Sequence, residues 1–278
     1  MKNKLIKIAI VGKTNSGKST FLNRIIGEKI SITNRKINTT IDMIEGIINK
    51  KNTQMIFYDT PGYNENNNKF SNQKIINTSV WETLYDVDYI LYFVNSYRYN
   101  FKSITNDLNK IIESKKFISV VFNKIDLIKI EKLLPLTKKF IDLKYIKNFF
   151  YISAKYNNGI KELSDYLEKK ASLQNWIYFN EEITNKDDIY ISNECTRNAI
   201  LTYIHKEIPY NIIVKNECFK KLKNGDKKIK QSIKINNIRY KSILLGKNGQ
   251  SIKKIRIKSQ NEISKILNSK VHLYLKVI

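Results

Sequence analysis

The sequence predicts an α/β protein: a mainly parallel sheet covered by helices, followed by a smaller, strongly basic α+β domain. Strand-like apolar runs recur at 5–11, 43–48, 55–58, 89–94, 118–122 and 149–152, with helix-like stretches between most of them, near 18–27, 72–85, 103–114, 129–142 and 159–171. Strands that alternate with helices form parallel sheets with crossover helices. Polar, glycine-bearing motifs follow the strands, where such sheets bind ligands. Charge then divides the chain. Residues 1–175 hold 29 basic and 16 acidic side chains, a net of +13, whereas residues 198–278 hold 19 and 4, a net of +15 in less than half the length.

A chain of 278 residues has room for about two domains, and 42% hydrophobic residues suffice for packed cores. No apolar run reaches the roughly 18 residues that span a bilayer, and the first run is too short for a signal peptide. Cys195 and Cys218 make neither a disulfide framework nor a zinc site, so the expected compartment is the reducing cytoplasm. Part of the net charge of +25 reflects base composition, because Lys, Asn and Ile all abound and only six of the 50 basic residues are Arg. Base composition acts evenly along a chain. The excess in the last third is therefore a candidate footprint for nucleic acid.

The first strand runs into Gly12-Lys13-Thr14-Asn15-Ser16-Gly17-Lys18-Ser19, followed by Thr20, which fits the phosphate-loop pattern G-x-x-x-x-G-K-[ST]. Two glycines let backbone N–H groups converge on phosphate oxygens, Lys18 neutralises them, and the Ser19 hydroxyl suits Mg²⁺. The helix that follows aims its positive end at the anion. The strand at 55–58 leads to Asp59-Thr60-Pro61-Gly62, about 40 residues after Lys18. In a phosphate-loop enzyme that Asp serves Mg²⁺, and the Gly62 N–H can sense a γ-phosphate. The strand at 118–122 leads to Asn123-Lys124-Ile125-Asp126, and the strand at 149–152 to Ser153-Ala154-Lys155.

In that order and spacing, the four motifs resemble those of the GTPase superfamily, which implies a P-loop, Ras-like domain over residues 1–172. The resemblance gives Asp126 two hydrogen bonds from guanine that adenine cannot supply, sets Asn123 and Lys124 beside the base, and points the Ala154 N–H at guanine O6. Ser31 to Thr40 becomes a switch loop, with Thr40 favoured over Thr39 to complete Mg²⁺ coordination. Lys18, Thr40 and Gly62 are then the residues expected to serve catalysis. Tyr63 stands where Ras-like enzymes carry the Gln that orients water. Asn15 resembles an Asn that seats K⁺ against the phosphates in one group of GTPases, so GTP or GDP, Mg²⁺ and K⁺ are the expected ligands.

Residues 173–192, with Trp176 and the acidic pairs Glu181-Glu182 and Asp187-Asp188, read as a linker. A helix over 193–205, strands near 210–214 and 231–240, and a closing strand at 271–277 frame the motif Gly246-Lys247-Asn248-Gly249. The sequence Ile243 to Ile255 resembles the G-x-x-G core of a KH domain, here of type II order. That implies a loop backbone packed on about four nucleotides, with Lys247, Lys253 and Lys254 on phosphates and Ile252 and Ile255 facing the core. Cys195, Cys218, His205 and His272 carry no expected chemistry.

Together the halves resemble the bacterial Era GTPases, over nearly the whole chain. The resemblance implies a monomeric GTP-binding and GTP-hydrolysing factor that binds the 3′ region of small-subunit (16S) rRNA and acts in rRNA processing and small ribosomal subunit assembly. Peripheral membrane contact through charge is a secondary expectation. The alternative is an RNA-binding scaffold whose GTP site turns over slowly, which Tyr63 keeps open.

Overall fold

The computed structural model describes residues 2–28, 30–31, 43–61, 83–141, 143, 145–204, 212–235 and 239–278. They divide into two compact units that join in sequence at Asn185 and Lys186.

In the first unit the sheet order is β2-β3-β1-β4-β5-β6, built from β1 (Lys4–Gly12), β2 (Ile44–Lys50), β3 (Thr53–Asp59), β4 (Tyr89–Asn95), β5 (Phe117–Asn123) and β6 (Ile146–Ile152). Along this six-strand order the pairings are parallel except β2 with β3, a hairpin in register Ile44↔Asp59 to Lys50↔Thr53. Every residue of β3 is buried, as a strand with a covered face on each side requires. Helices α1 (Lys18–Ile26), α2 (Phe101–Ile111), α3 (Leu133–Ile141) and α4 (Ile160–Lys170) supply the cover. Phe21 of α1 packs against Phe57 and Phe93, with ring centroids 6.0 and 5.0 Å apart. Asn100 caps α2 by accepting from Ser103 N–H at 3.1 Å. The helix expected over 129–142 is a 3₁₀ turn, Ile130–Lys132, before α3. Of the helix expected over 72–85 only residues 83–85 lie within the described residues, and they are helical. As β1 lies between β3 and β4, the carboxyl ends of β1, β3, β5 and β6 deliver all four motifs to one edge of the sheet.

The stretch read as a linker is a strap over the first unit. A two-residue strand, β7 (Ser172–Leu173), pairs antiparallel with Lys4 and Leu5. Trp176 Nε1–H donates to Lys4 O at 3.1 Å. Gln54 is fully buried, and its Oε1 accepts from the N–H groups of Ile177 (2.9 Å) and Tyr178 (3.1 Å) while its Nε2 donates to Tyr178 O (3.0 Å). Further on, Ile47 N–H donates to Ile183 O at 2.9 Å, and Glu45 accepts from the Tyr178 hydroxyl and the Asn185 amide.

The second unit has the order α5 (Asp188–Tyr203), β8 (Ile212–Lys221), β9 (Lys227–Ile235), α6 (Arg239–Leu245), α7 (Gln250–Ile266) and β10 (Val271–Val277). The helix begins five residues before its expected start, because Asp187 caps it by accepting from Tyr190 N–H at 2.7 Å. The acidic pair therefore opens a helix, as an N-cap carboxylate does. The strand expected over 231–240 ends at Ile235, and Arg239 and Tyr240 belong to α6 instead. Sheet order is β10-β9-β8, with β9 antiparallel to β8 and parallel to β10. One face of this sheet carries Ile229, Ile233, Val271 and Leu273 into cores completed by Ile191, Ala199, Ile255 and Ile263 of the helices.

Candidate nucleotide site and nucleic-acid loop

The phosphate loop is shaped by backbone that only small or permissive residues adopt. Gly12 has φ 147°, and a Cβ there would lie 2.4 Å from Phe93 O. Gly17 has φ 95°, and a Cβ there would lie 2.2 Å from Asn123 Nδ2. Between them Asn15 takes φ 60°, a left-handed conformation that Asn tolerates better than most residues. Lys18 opens α1 and is buried. Its Nζ donates to Gly12 O at 2.8 Å and Lys13 O at 3.2 Å. Burial lowers its pKa to about 8, opposed by the neighbouring Asp59 carboxylate. Ser16 Oγ is buried in the loop with no hydrogen-bond partner among the described residues. A buried hydroxyl of that kind costs free energy unless something bonds to it, and a phosphate oxygen fits. Asp59 is fully buried at the end of β3, and Ser19 lies one residue past Lys18. A carboxylate and a hydroxyl are hard oxygen donors of the kind Mg²⁺ takes beside phosphates. Thr60 is also buried, and its hydroxyl donates to Ile10 O at 2.8 Å, which fixes the exit from β3. Thr40, Gly62 and Tyr63 lie outside the described residues.

Asn123, expected beside the base, is also tied into the surrounding loops. Its side chain is 1% exposed. Its Nδ2 donates to Ser16 O at 2.8 Å, and its Oδ1 accepts from the N–H groups of Lys124 (2.8 Å) and Ala154 (3.1 Å). It thereby braces the phosphate loop, its own loop and the loop after β6. The Ala154 N–H expected at guanine O6 is thereby already engaged. Lys124, at φ 65°, reaches back over the phosphate loop, with Nζ donating to Asn15 O at 2.7 Å and Asn15 Oδ1 at 3.0 Å. Burial lowers its pKa. Asn15, expected to help seat K⁺, thus already faces a cation, the Lys124 ammonium. Asp126 is exposed at the lip of the site, its Oδ1 held by the Ser153 hydroxyl at 2.6 Å. Ser153 also closes its own loop, with N–H and C=O both paired to Asn158.

Two braces were not expected. Arg24, in the last turn of α1, donates from Nε to Ala154 O (3.3 Å) and from Nη2 to Lys155 O (2.8 Å). Lys13 Nζ bonds to Asp107 Oδ1 at 3.2 Å, and the Tyr92 hydroxyl donates to Asp107 Oδ2 at 2.6 Å, which ties the phosphate loop to α2 and β4. Arg24 had one sequence signal: it is a rare Arg in a chain that uses Lys almost everywhere.

In the second unit, three of the four residues of Gly246–Gly249 have positive φ: Gly246 (69°), Asn248 (51°) and Gly249 (73°). A Cβ on Gly246 would lie 2.4 Å from Ser251 Oγ, whereas one on Gly249 would meet nothing within 4 Å. The turn is closed by Gly246 N–H to Ser242 O (2.8 Å) and Gly249 N–H to Gly246 O (3.1 Å). Lys247, Asn248, Lys253 and Lys254 are exposed around it. Ile255 is fully buried, and Ile252 packs on the same core.

A family model described as a 50S ribosome-binding GTPase matches residues 7–124, and a KH-domain model matches residues 207–278. GTPase Era of Rickettsia prowazekii (strain Madrid E) is 37% identical over 277 residues, spanning 98% of this chain and 91% of that protein. GTPase Era of Agrobacterium fabrum (strain C58 / ATCC 33970) is 35% identical over 272 residues, 96% of this chain and 84% of that protein. Among solved structures, Era in complex with MgGDPNP and nucleotides 1506–1542 of 16S ribosomal RNA superposes with a TM-score of 0.91 at 29% identity, covering 99% of this chain and 93% of that one. An Aquifex aeolicus Era variant bound to GDP·AlF4⁻ gives the same score, identity and coverage.

Proposed function

Because the chain belongs to the Era family of GTPases, we propose that it binds and hydrolyses GTP and binds the 3′ region of small-subunit rRNA through its second unit, in rRNA processing and assembly of the small ribosomal subunit. The observation that carries this is the convergence of four loops at the carboxyl edge of one sheet, in a chain that also builds a Gly246–Gly249 turn ringed by lysines. In this reading the loop N–H groups from Asn15 to Thr20 and the Ser16 hydroxyl receive phosphate oxygens. Lys18 moves its donors from the loop carbonyls to the β/γ-phosphates. Ser19, Asp59 and the switch residue Thr40 hold Mg²⁺, which neutralises developing phosphate charge when bound. The Gly62 N–H reports on the γ-phosphate. Asp126 accepts both guanine hydrogen bonds with its two carboxylate oxygens, Oδ1 keeping its bond from the Ser153 hydroxyl, while Lys124, Lys155 and Asn123 flank the base and Asn123 also keeps the loops in place. For Asn15 to seat K⁺, the Lys124 ammonium must first give way.

On the RNA, the Gly246–Gly249 backbone lies against a single strand, with Lys247, Lys253 and Lys254 on its phosphates. The chain acts as a monomer, and any contact with a membrane is peripheral and charge-driven. Among the described residues no helix is long and apolar enough to cross a membrane.

Two variants test both halves. Losing two charge-assisted hydrogen bonds to guanine, at about 1.5 kcal/mol each, weakens binding by roughly two orders of magnitude. Asp126→Ala should therefore weaken GTP by about that factor, leave ATP unchanged and leave binding of a 3′-terminal 16S fragment intact. Lys247→Glu should do the reverse. Retention of full GTP affinity by the first variant, or of full RNA affinity by the second, refutes the corresponding half. Single-turnover hydrolysis with and without the fragment separates a GTPase from a scaffold with an idle site.

A further inference from the structure

Three of the nine glycines directly follow an asparagine: Asn158-Gly159, Asn224-Gly225 and Asn248-Gly249. This dipeptide is chemically labile, because glycine has no Cβ to hinder attack by its nitrogen on the side-chain amide of the residue before it. The fold restrains the three steps unequally. Asn158 is locked through its backbone, with its N–H on Ser153 O at 3.2 Å and its C=O accepting from Ser153 N–H at 3.1 Å. Gly159 is pressed against the preceding strand, where a Cβ would lie 2.3 Å from Tyr151 O. Asn224 lies in the β8–β9 turn and is held at both ends of its amide. Its Nδ2 donates to Asp226 Oδ2 at 3.1 Å, and its Oδ1 accepts from Asp226 N–H at 3.1 Å. The Asp226 carboxylate also opposes the negative charge that a reacting backbone nitrogen must develop. Asn248 has none of these restraints. It is exposed, its side chain has no hydrogen-bond partner among the described residues, and a Cβ on Gly249 would meet nothing within 4 Å. The bond from Gly249 N–H to Gly246 O, at 3.1 Å, must open first. Lys247, Lys253 and Lys254 stand round the same turn, and cations favour loss of a proton from a nearby N–H.

We propose that Asn248 is a site of spontaneous deamidation, which turns the loop from one that accepts phosphate into one that repels it. The Gly249 nitrogen gives its proton to water and bonds to Asn248 Cγ. The Cγ–Nδ2 bond breaks, and the amide nitrogen takes a proton from solvent and leaves as ammonia. The product is a cyclic succinimide. Water opens it at either carbonyl, giving aspartate or isoaspartate. A water is consumed and an ammonia released, with no oxidant or reductant. Either product places a carboxylate among Lys247, Lys253 and Lys254. Isoaspartate also lengthens the backbone of a turn closed by the bonds to Ser242 O and Gly246 O. The consequence for RNA rests on the reading that this loop grips a single strand, whereas the chemistry at Asn248 does not. A strand lying on the loop restrains it, so bound RNA protects the site.

The test ages the full chain in mildly alkaline buffer and follows the exchange of NH2 for OH at the three Asn-Gly steps by peptide mass spectrometry. Asn248 should convert first, Asn224 more slowly and Asn158 least. Full conversion at Asn248 should weaken a single-stranded RNA of the 16S 3′ end about tenfold. The slope of log K against log[salt] should become shallower by about 0.7, the share of a single lysine. Basal GTP hydrolysis should stay constant, showing that the aged chain is folded. Asn248→Asp should reproduce the RNA loss without ageing. Asn248→Gln, whose longer side chain closes such a ring far more slowly, should keep whatever RNA affinity it starts with. Ageing in the presence of the RNA should slow conversion at Asn248 and leave Asn224 unaffected. Conversion at Asn224 or Asn158 ahead of Asn248 overturns the proposal. So does full RNA affinity in Asn248→Asp when Lys247→Glu abolishes binding. If both variants bind RNA normally, the reading of the loop as an RNA contact fails, and the order of conversion alone decides the site.

Discussion

Replacing Asn123 by Ala is the most informative single change in the nucleotide site, because this side chain ties three of its loops together without touching the γ-phosphate. It makes three hydrogen bonds at 2.8, 2.8 and 3.1 Å, to Ser16 O, Lys124 N–H and Ala154 N–H, in a place 1% exposed to solvent. Truncation leaves one carbonyl and two N–H groups without these partners. Each net hydrogen bond is worth about 1 kcal/mol, so the loss is about 3 kcal/mol. In the free protein part of that loss appears as loosened loops. Nucleotide binding must then restore their order, so the penalty appears in the dissociation constant as a weakening of up to about 150-fold. The partners lie in the phosphate loop and the base-reading loops and none is a γ-phosphate contact, so GDP and GTP should weaken by the same factor. Once the variant is saturated with GTP, single-turnover hydrolysis should be close to wild type. Fluorescent GDP and GTP-analogue titrations give the two constants. A GDP constant within threefold of wild type would show that the brace is not needed. A loss confined to GTP would show that Asn123 serves the γ-phosphate instead.

Two further predictions follow from the same geometry. Lys18 has a folded pKa of about 8 against an ordinary 10.5, lowered by burial, so folding favours its neutral form and its contribution to free-protein stability rises as pH climbs from about 8 toward 10.5. Phosphates facing the ammonium hold the proton on, so GDP affinity should fall about tenfold between pH 7 and pH 9, a slope that Lys18→Gln should abolish; a wild-type affinity flat over that range refutes the protonation link. In the second unit, Gly246→Ala forces a Cβ to 2.4 Å from Ser251 Oγ at φ 69°, whereas Gly249→Ala at φ 73° meets nothing within 4 Å. The first should cost about 3 kcal/mol and the second about 1, read as faster hydrogen exchange in the α7 amides, and the reverse order would contradict the loop geometry.

The parts of the site legible in the sequence are those where a local requirement admits few residue types. Gly12 and Gly17 are needed because their backbones have positive φ and press on Phe93 and Asn123. Gly246 is needed for the same reason in the second unit. Helix and strand order was legible because period and length differ sharply between β3, buried along its whole length, and α1. The strap at 174–185 was not legible. Its contacts rest on Gln54, whose amide satisfies three backbone groups more than 120 residues away, and nothing in the local pattern of β3 marks that use. The early start of α5 was legible in principle, since Asp187 before an apolar-periodic run is a capping signal, but an acidic pair in a basic chain reads first as linker.

Long-range polar braces are the hardest class, yet the composition of this chain holds a clue to them. Where Lys is the default cation, a buried or bracing position that keeps Arg is one where the shape of the guanidinium is used. The guanidinium offers donors in a fixed fork, and an ammonium offers a point charge. Arg24 uses two nitrogens on two successive carbonyls, Ala154 O and Lys155 O, and so locks the end of α1 to the loop after β6. Arg197 is 5% exposed in α5 and pairs with Glu194 at 3.1 Å, where an unpaired ammonium would be costly. Arg256 reaches Gln260 along α7 at 3.0 Å. The lysines of β8 and β9 show the converse, standing in register across the two strands with no rigid fork to satisfy. In a lysine-rich chain, then, the scarce Arg residues point to built structure, and the Lys residues become informative only where the fold gathers them on one surface.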